Sequence, residues 1–379
     1  MADAASLPGR DIHLILATST GGVGRHVRAL AGGLNAKGVQ VTVHGPSATE
    51  EMFGFTAAGA TFVPTEIASG FALGAAAVAA RSLHRTLRGA DLVHAHGLRA
   101  GLVASMAVSR GTPLIVTWHN TVLDDAPLRR LQSVLERRVA RAATVTLTVS
   151  ADLADRVREL GGRDVRVAPV GVNPLPAPTR DVLAVRRELD AVDRSIVLVV
   201  GRLHRQKGID VLIRAATAWS ARDVRPLIVV AGDGPERDAL SDLAHSLGVP
   251  LRLLGHRTDI SDLLAAADVV VLPSRWEGSP LAAHEALHAG RPLVATEVGG
   301  MSDLLAEGGA ILVPPEDPVT LAHRVGQLLD LPGKAVLVGN AGLLAAARWP
   351  DETHSVAAVI DVYRDVLTRA RQVGASIRS

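Results

Sequence analysis

The sequence predicts an α/β protein made of two Rossmann-like halves in tandem. Short runs of β-branched residues alternate with Ala- and Leu-rich helical stretches along the whole 379-residue chain, as in parallel sheets with crossover helices. This alternation occurs twice, before and after a proline-rich stretch at 167–181. The length also suggests two domains, since a typical domain has about 150 residues.

Buried strands that run into loops are predicted in both halves. They are 12–16, 39–45, 91–97, 113–120 and 143–150 in the first half, and 195–201, 225–232, 251–255, 267–274 and 292–300 in the second. The stretch VAPVGVNPLPAPTRD between them breaks both periodicities and is expected to connect two domains. We place the boundary near Pro174, with an N-terminal domain over 1–174 and a C-terminal domain over 175–350.

A final helix is predicted after Trp349–Pro350, because proline blocks the continuation of any preceding helix. The helix covers about 351–371, and the segment 351–379 is expected to pack back towards the N-terminal domain. In doubly wound sheets, ligands bind beyond the carboxyl ends of the strands. Two such domains facing each other would therefore hold an active site in the cleft between them.

Composition excludes several classes of protein. Apolar residues make up 48% and charged residues 21% of the chain, which suits packed cores and not a disordered polymer. The absence of cysteine excludes disulfides and thiolate metal sites. A net charge of +2 and an aromatic content of 2% argue against nucleic-acid binding, which needs basic surface and stacking platforms.

Neither a signal peptide nor a membrane span is predicted. The N-terminus lacks a charged start followed by an apolar block, and the longest apolar run, 71–80, is far shorter than the roughly 20 residues of a span. We therefore expect a cytoplasmic protein. Arg81, Arg85 and Arg88 recur at helical spacing, which predicts weak peripheral contact with anionic membrane. An ordinary solvated basic face explains that spacing equally well.

A glycine-rich turn, TSTGGVGRHV (18–27), follows the first predicted strand and opens a helix. Gly21, Gly22 and Gly24 would permit a tight turn that brings backbone N–H groups close to a phosphate. The dinucleotide fingerprint is incomplete, because Val27 stands where its third glycine belongs. Alone, the turn is equally typical of any α/β domain.

A basic loop, GRLHRQKG (201–208), follows the first strand of the second half. Arg202 offers a fork of donors and Lys207 a compact charge, so the two could converge on a diphosphate. Lysine is rare in this chain, where Lys37, Lys207 and Lys334 stand among 40 basic residues. The position beyond a buried strand favours an anion site over a solvated loop.

The segment SRWEGSPLAAHEALHAGRPLV (274–294) predicts a loop, a helix and a strand. Ser279 suits the N-cap and Pro280 the first helical position. The N–H groups of Leu281 and Ala282 would then be free to meet a phosphate.

Two glutamates accompany this helix start. Glu277 lies in the loop ahead of it, and Glu285 lies in the helix with a side chain expected to lean towards the N-terminus. Both carboxylates could face one cleft, where they would suit the vicinal hydroxyls of a sugar and a ribose that flank a diphosphate. The alternative, two solvated glutamates, does not explain the combination.

Together these segments resemble the retaining GT-B glycosyltransferases of family 4. Glu277 and Glu285 match the E-x7-E motif of that family, and EALHAGRPLVAT continues it. The resemblance runs along essentially the whole chain through GGVGRHV, DLVHAHG, TWHN, VAPVGVN, VVGRLHRQKG, AGDGPE and LAAADVVVLPS. It implies two Rossmann-like domains facing across a cleft, and transfer of a hexose-type sugar from a nucleoside-diphosphate sugar to an acceptor that the sequence does not identify.

The resemblance also implies roles for individual residues. Arg202 and Lys207 would hold the donor diphosphate, Glu285 the ribose hydroxyls and Glu277 the transferred sugar. Gly22 would pack its backbone against the phosphates.

Histidines of the first half match the family too. His119 in TWHN matches the histidine beside the donor sugar, although a lone histidine after a strand is more often structural. His94 and His96 match a family pattern for which the structural interpretation is favoured.

The implied reaction retains the anomeric configuration. Since no residue is an obvious nucleophile for a double displacement, we favour front-face attack, in which the acceptor hydroxyl passes its proton to the leaving diphosphate. Positive groups and helix N–H groups would stabilise that leaving group. Asp124–Asp125 is too weak a ligand set for a metal, so neither a metal nor another cofactor is expected.

Two alternatives remain open at the level of sequence. An NAD-dependent oxidoreductase would explain the glycine-rich turn, but the second strand ends at His44 with no carboxylate before Glu50. A non-catalytic sugar-nucleotide-binding protein would keep the same fold. It would not need both glutamates together with Arg202 and Lys207.

Overall fold

A computed structural model describes residues 7–19, 21–67, 73–119, 129–278, 280–305 and 309–378. The chain divides into two compact units. Unit 1 consists of Met1–Gly171 together with Pro350–Ser379, and unit 2 is Val172–Trp349. The chain leaves unit 1 after Gly171 and returns to it at Pro350.

Unit 1 contains a seven-stranded parallel sheet in the order β3-β2-β1-β4-β5-β6-β7. Its strands are β1 (Asp11–Leu16), β2 (Gln40–Gly45), β3 (Thr61–Pro64), β4 (Leu92–His96), β5 (Leu114–Trp118), β6 (Val145–Thr148) and β7 (Val165–Val167). The connecting helices are α1 (Gly22–Asn35), α2 (Ser47–Phe53), α3 (Leu73–Thr86), α4 (Leu98–Ala107), α5 (Arg129–Ala142) and α6 (Ala151–Glu159).

Unit 2 contains a six-stranded parallel sheet in the order β10-β9-β8-β11-β12-β13. Its strands are β8 (Ile196–Val200), β9 (Leu227–Ala231), β10 (Leu251–Leu253), β11 (Val269–Leu272), β12 (Leu293–Thr296) and β13 (Ile311–Val313). Its helices are α7 (Val182–Glu188), α8 (Ile209–Ala216), α9 (Arg237–Ser246), α10 (Ile260–Ala266), α11 (Leu281–His288), α12 (Gly300–Leu305), α13 (Pro318–Asp330) and α14 (Pro332–Ala346).

The predicted α/β class with two Rossmann-like domains is confirmed. Every strand predicted from sequence is present, and the structure adds β3, β7 and β13. These three strands lie at sheet edges, are partly exposed and have only three or four residues, which is too few to show a strand period even in β13, whose residues are all apolar.

The central strands are buried on both faces because helices cover both sides of the sheet. In β1, for example, Ile12, Leu14 and Leu16 face one apolar cluster and Ile15 faces the other. Unit 2 has the same two-sided core. Because these strands are buried on both sides, the loops at their carboxyl ends are the positions available for functional residues.

The last helix, α15 (Glu352–Arg378), completes the core of unit 1. Val359, Ile360 and Tyr363 are buried in the same cluster as β1 and α1. The Tyr363 hydroxyl shares a 2.6 Å hydrogen bond with Nδ1 of His94 on β4. The helix approaches α1 closely, since a Cβ on Gly33 would lie 2.4 Å from Val356 Cγ1.

No single helix among the described residues is long and apolar enough to cross a membrane. The pair α13 and α14 passes the length and composition test only when taken together, and it is bent by 105°.

Replacing Tyr363 with Phe is expected to destabilise unit 1. The change leaves the buried Nδ1 of His94 without its partner, which costs about 1–3 kcal/mol. For a unit of this size that corresponds to a fall in melting temperature of roughly 2–10 °C. Calorimetry checks it, with Asp361→Asn, on the exposed side of the same helix, as the matched control. Equal melting temperatures for Tyr363→Phe and the parent would contradict the contact.

Candidate functional site

Two loops of unit 2 that are far apart in sequence meet at one edge of its sheet. β8 pairs directly with β11, so the loops that follow these strands, 201–208 and 273–278, are neighbours. Lys207 Nζ lies 2.5 Å from Glu277 Oε1, and their side chains are only 17% and 6% exposed. The Ser274 hydroxyl donates to the same carboxylate oxygen at 2.7 Å. The sequence predicted both residues at this site but not that they bind each other.

Backbone hydrogen bonds join the two loops. The Arg275 N–H donates to the Gln206 carbonyl at 2.8 Å, and Gln206 Nε2 donates to the Trp276 carbonyl at 3.1 Å. Arg205–Lys207 forms a single 3₁₀ turn whose second N–H, that of Gln206, is capped by His204 Nδ1. Lys207 and Glu277 are therefore placed by the backbone, not only by their own contact.

Arg275 anchors the glutamate-bearing loop. Its guanidinium contacts both carboxylate oxygens of Asp210, on α8, at 2.8 and 3.0 Å, and donates to the Arg205 carbonyl at 2.7 Å. Glu316 binds the other edge of the guanidinium and does so from a left-handed backbone conformation, at φ 57°. The Asp210 and Glu316 carboxylates raise the pKa of Arg275 above its usual range, against the opposing effect of burial.

Sequence reasoning missed this arginine. The available signal was its position two residues before Glu277, where its charge could only be solvated or paired with carboxylates from other segments. A bidentate arginine pair resists rotation in a way that a single charge contact does not.

Gly208 shows why the basic loop ends in glycine. It has φ 61°, and a Cβ there would lie 1.9 Å from the Pro273 carbonyl oxygen. The loop after β8 thus packs backbone to backbone on the loop after β11. No other residue would fit without separating the two loops.

Arg202 begins the same loop, but its side chain is exposed and makes no hydrogen bond or ion pair with another described residue. The structure therefore does not join it to Lys207 and Glu277. Its charge remains accessible at the edge where the two loops meet.

The helix start of the motif differs by one residue from the prediction. α11 begins at Leu281, and Pro280, with φ −76° and ψ 112°, is the N-cap instead of the first helical residue. Ser279, the predicted N-cap, lies outside the described residues. The Ala283 N–H donates to the Pro280 carbonyl at 3.0 Å, so the N–H groups of Leu281 and Ala282 precede the first N–H group that donates within the helix.

The second glutamate of the motif is buried. Glu285 lies in the middle of α11 and is 5% exposed. Beside it, His284 is 3% exposed, and neither of its ring nitrogens has a hydrogen-bond partner among the described residues. The His284 ring packs edge-on against Trp349 at 4.5 Å, and burial lowers its pKa to about 4.

The glycine-rich turn of unit 1 opens α1, as predicted. The helix starts at Gly22 after an extended Gly21, and the Gly24 N–H binds the Ser19 hydroxyl at 3.2 Å. Gly24 is needed for packing and not for the turn, because a Cβ there would lie 2.1 Å from the Phe53 ring. Gly22 therefore remains the residue whose N–H lies at the helix start.

Histidines from three elements meet at the carboxyl edge of the unit 1 sheet. His96 ends β4, His119 follows β5, and His26 lies on α1. His96 Nδ1 lies 3.3 Å from His119 Nε2, and the His26 ring centre is 5.6 Å from those of both. His94 lies two residues before His96 on β4, and its Nε2 shares a 2.6 Å hydrogen bond with the Thr117 hydroxyl. The sequence did not predict His26, since its helix face was unknown.

Burial keeps this histidine cluster neutral. It lowers the pKa of His119 to about 3 and that of His26 to about 4, and a charge on His26 would lower that of His119 further. The buried Nε2 of His96 has no partner among the described residues. These imidazoles therefore offer hydrogen bonds without charge. No group of three or more histidines and carboxylates in the described ranges could hold a metal ion.

Acid should destabilise the fold through these histidines. Unfolded histidine has a pKa of about 6.5, so between pH 6.5 and 4 the unfolded chain binds more protons than the folded one. The free energy of unfolding therefore falls as pH is lowered through this window. Melting temperatures between pH 7.5 and 4.5 should show this fall, and His26→Gln should reduce its slope while the exposed His245→Gln should not. A parent profile independent of pH would contradict neutral burial.

Two family models match the chain. The model described as "Glycosyl transferase 4-like domain" matches residues 21–173, and "Glycosyl transferases group 1" matches 194–331. The D-inositol 3-phosphate glycosyltransferase of Xylanimonas cellulosilytica is 32% identical over 313 residues, which are 76% of this chain and 74% of the relative. Glycogen synthase of Mycobacterium tuberculosis is 30% identical over 351 residues, or 83% and 84% of the two chains.

Solved structures share the fold. HepE from Anabaena, in complex with UDP-glucose, superimposes with a TM-score of 0.78 at 21% identity, over 95% of this chain and all of that one. The oxidoreductase alternative is wrong, because both family models and these relatives are glycosyltransferases. The chain is thus a glycosyltransferase enzyme with the GT-B fold, and it belongs to the family Glycosyl transferases group 1.

Proposed function

We propose that the enzyme transfers a hexose-type sugar from a nucleoside-diphosphate sugar to an acceptor hydroxyl, with retention of the anomeric configuration and without a metal or other cofactor. The observation that carries the proposal is the buried pair of Lys207 and Glu277 beside the start of α11. It brings a cation and a carboxylate together at one sheet edge, next to the N–H groups at the start of a helix. The complex of HepE with UDP-glucose supports such a donor.

The donor diphosphate would bind Lys207, Arg202 and the N–H groups of Leu281 and Ala282. These groups supply positive charge and amide donors where the leaving group gains negative charge, which stabilises the transition state. Lys207 already has Glu277 as its anion, so a diphosphate would share or replace that contact. The shared cation would draw the phosphate and the sugar-binding carboxylate to adjacent positions.

The two glutamates would bind different parts of the donor. Glu277 would accept hydroxyls of the transferred sugar, and Glu285, in the middle of α11, would accept those of the ribose. In unit 1, the Gly22 N–H would meet the phosphates and His119 would bind a sugar hydroxyl as a neutral hydrogen-bonding group. His119 would not act as a charged acid near pH 7, because burial lowers its pKa to about 3.

The transfer would need no residue as a base. In front-face attack the acceptor oxygen bonds to the anomeric carbon on the side from which the diphosphate leaves, and its proton passes to the departing phosphate oxygen. The protein would position both substrates and stabilise the leaving group.

Calorimetry with a bare nucleoside diphosphate tests these assignments. Lys207→Ala should weaken binding roughly ten- to a hundredfold, because it removes a charge-assisted contact to phosphate. Glu285→Gln should also weaken binding, since the ribose is present in this ligand. Glu277→Gln should bind it at least as tightly as the parent, because it no longer competes for Lys207, but should transfer sugar more slowly, because the carboxylate acts on the sugar ring.

Asp223→Asn is the matched control. Asp223 is exposed and precedes β9, so it lies at the amino-terminal end of the parallel strands, away from the site, and the variant should match the parent in both assays. If Glu277→Gln abolished diphosphate binding while Glu285→Gln left it intact, the assignment would be reversed. Loss of binding or transfer in the presence of EDTA would contradict metal independence.

We also propose a cytoplasmic location with weak peripheral contact between α3 and anionic membrane. Arg81, Arg85 and Arg88 are all exposed on or just beyond this helix, beside Val78, which is 65% exposed. We expect salt-sensitive co-sedimentation with anionic vesicles that weakens in Arg81→Gln/Arg85→Gln. Arg110→Gln, at another exposed arginine of unit 1, is the control. Binding that salt leaves unchanged, or no binding at all, would overturn this part of the proposal.

A further inference from the structure

The outward face of α14 is apolar, which reverses the usual polarity of a surface helix. Val336, Leu337, Leu343 and Leu344 are 60%, 71%, 43% and 68% exposed. Residues 331–350 contain no Asp or Glu. Contiguous apolar patches of this kind mark interaction surfaces on soluble domains.

The inward face of α14 consists of small residues and fixes the orientation of the helix. Gly339 and Gly342 are buried, as are Ala345 and Ala346. A Cβ on Gly339 would lie 2.3 Å from the Gly290 carbonyl oxygen, and one on Gly342 would lie 2.5 Å from Leu287 Cδ2. The helix is therefore seated too closely for its large residues to turn inward.

A line of small and polar residues runs along the middle of the outward face. Gly333, Asn340 and Ala347 are exposed and recur every seven residues, which is about two helical turns. Small residues in such a line let a second helix approach closely, and a central Asn is a known determinant of helix register.

The apolar residues flank this line symmetrically about Asn340. Val336 and Leu344 lie four residues before and after it, and Leu337 and Leu343 lie three residues before and after it. A second α14 running antiparallel, with a two-fold axis at Asn340, would set Val336 against Leu343 on one side of the line and Leu337 against Leu344 on the other. We propose that this face binds the same face of a second copy of the chain, in an isologous dimer.

Charge favours a second copy over a lipid surface. Between Lys334 and Arg348 the helix carries no basic residue, and Lys334 Nζ is turned to Gln327 Oε1 on α13 at 2.9 Å. Helices that lie on anionic membranes carry Lys and Arg along the polar border of their apolar face, and this border is missing here. Two copies of an uncharged face meet without repulsion.

The size of the face predicts a weak, reversible dimer. Residues 333–347 span about 21 Å at 1.5 Å per residue, and one helix face of that length buries less than the roughly 800 Å² per partner of a standard interface. Interfaces of this class exchange at micromolar concentration.

Sedimentation velocity across the micromolar range tests the dimer. The parent should shift from monomer to dimer with concentration, and Leu337→Glu/Leu344→Glu should remain monomeric with an unchanged affinity for nucleoside diphosphate. Val319→Glu is the matched control, since Val319 is 78% exposed but lies at the start of α13. A parent that stays monomeric throughout, or a double variant that still dimerises, would overturn the proposal.

The cysteine-free chain allows a geometric test of the two-fold axis. Asn340→Cys should cross-link to itself on mild oxidation, because the axis brings the two Cα atoms near the disulfide limit of about 7 Å. Val336→Cys should not, since its copy lies eight residues away along the axis, about 12 Å. A mixture of Val336→Cys and Leu343→Cys should cross-link, because these two positions face each other on the same side of the axis.

Two further outcomes would contradict an antiparallel dimer through α14. Self-cross-linking of Val336→Cys without that of Asn340→Cys would exclude the antiparallel axis. A monomeric parent whose co-sedimentation with anionic vesicles is lost in Leu337→Glu/Leu344→Glu would assign the face to lipid and reject the dimer.

Discussion

The proposed donor site depends on the direct pairing of β8 with β11 in a parallel sheet. Lys207 and Glu277 are 70 residues apart, yet pairing two parallel strands forces their carboxyl-end loops to the same edge. Gly208 then permits the backbones to touch, and Arg275 holds one loop against α8. The contact between the two charged side chains is therefore a result of strand order and backbone packing.

Such a contact costs desolvation of both charges, and the surroundings must offset that cost. The carboxylate of Glu277 gains a second donor from Ser274, and the backbone carbonyl of Glu277 accepts the Gly300 N–H at 3.1 Å. Buried ion pairs seldom add stability by themselves. In the proposed mechanism Lys207 binds the phosphate and Glu277 binds the sugar. In the absence of donor, each of the two charges is neutralised by the other.

The sequence predicted those parts of the protein that show a hydrophobic periodicity or contain a motif. The buried strands, the alternation of elements, and the placement of Lys207, Glu277 and Glu285 follow from patterns along the chain. The edge strands β3, β7 and β13 were missed because three or four residues are too few to show a clear period, whereas the equally short edge strand β10 was predicted from the leucine-rich run LRLLG. The Arg275–Asp210 pair and the His26 contact were missed because they depend on the directions of side chains from different elements. The start of α11 differed by one residue because proline is compatible with both the N-cap and the first helical position.

The course of the chain between the two units has a consequence for biosynthesis. Unit 1 is interrupted after Gly171 and resumes only at Pro350, and the partner of His94 lies 269 residues further along. When the sheet of unit 1 emerges from the ribosome, one face of it still lacks α15 and exposes the side chains that Val359, Ile360 and Tyr363 will cover. Unit 2 is continuous and can close once α13 and α14, which complete its core, have been made, so the segment made first is completed last.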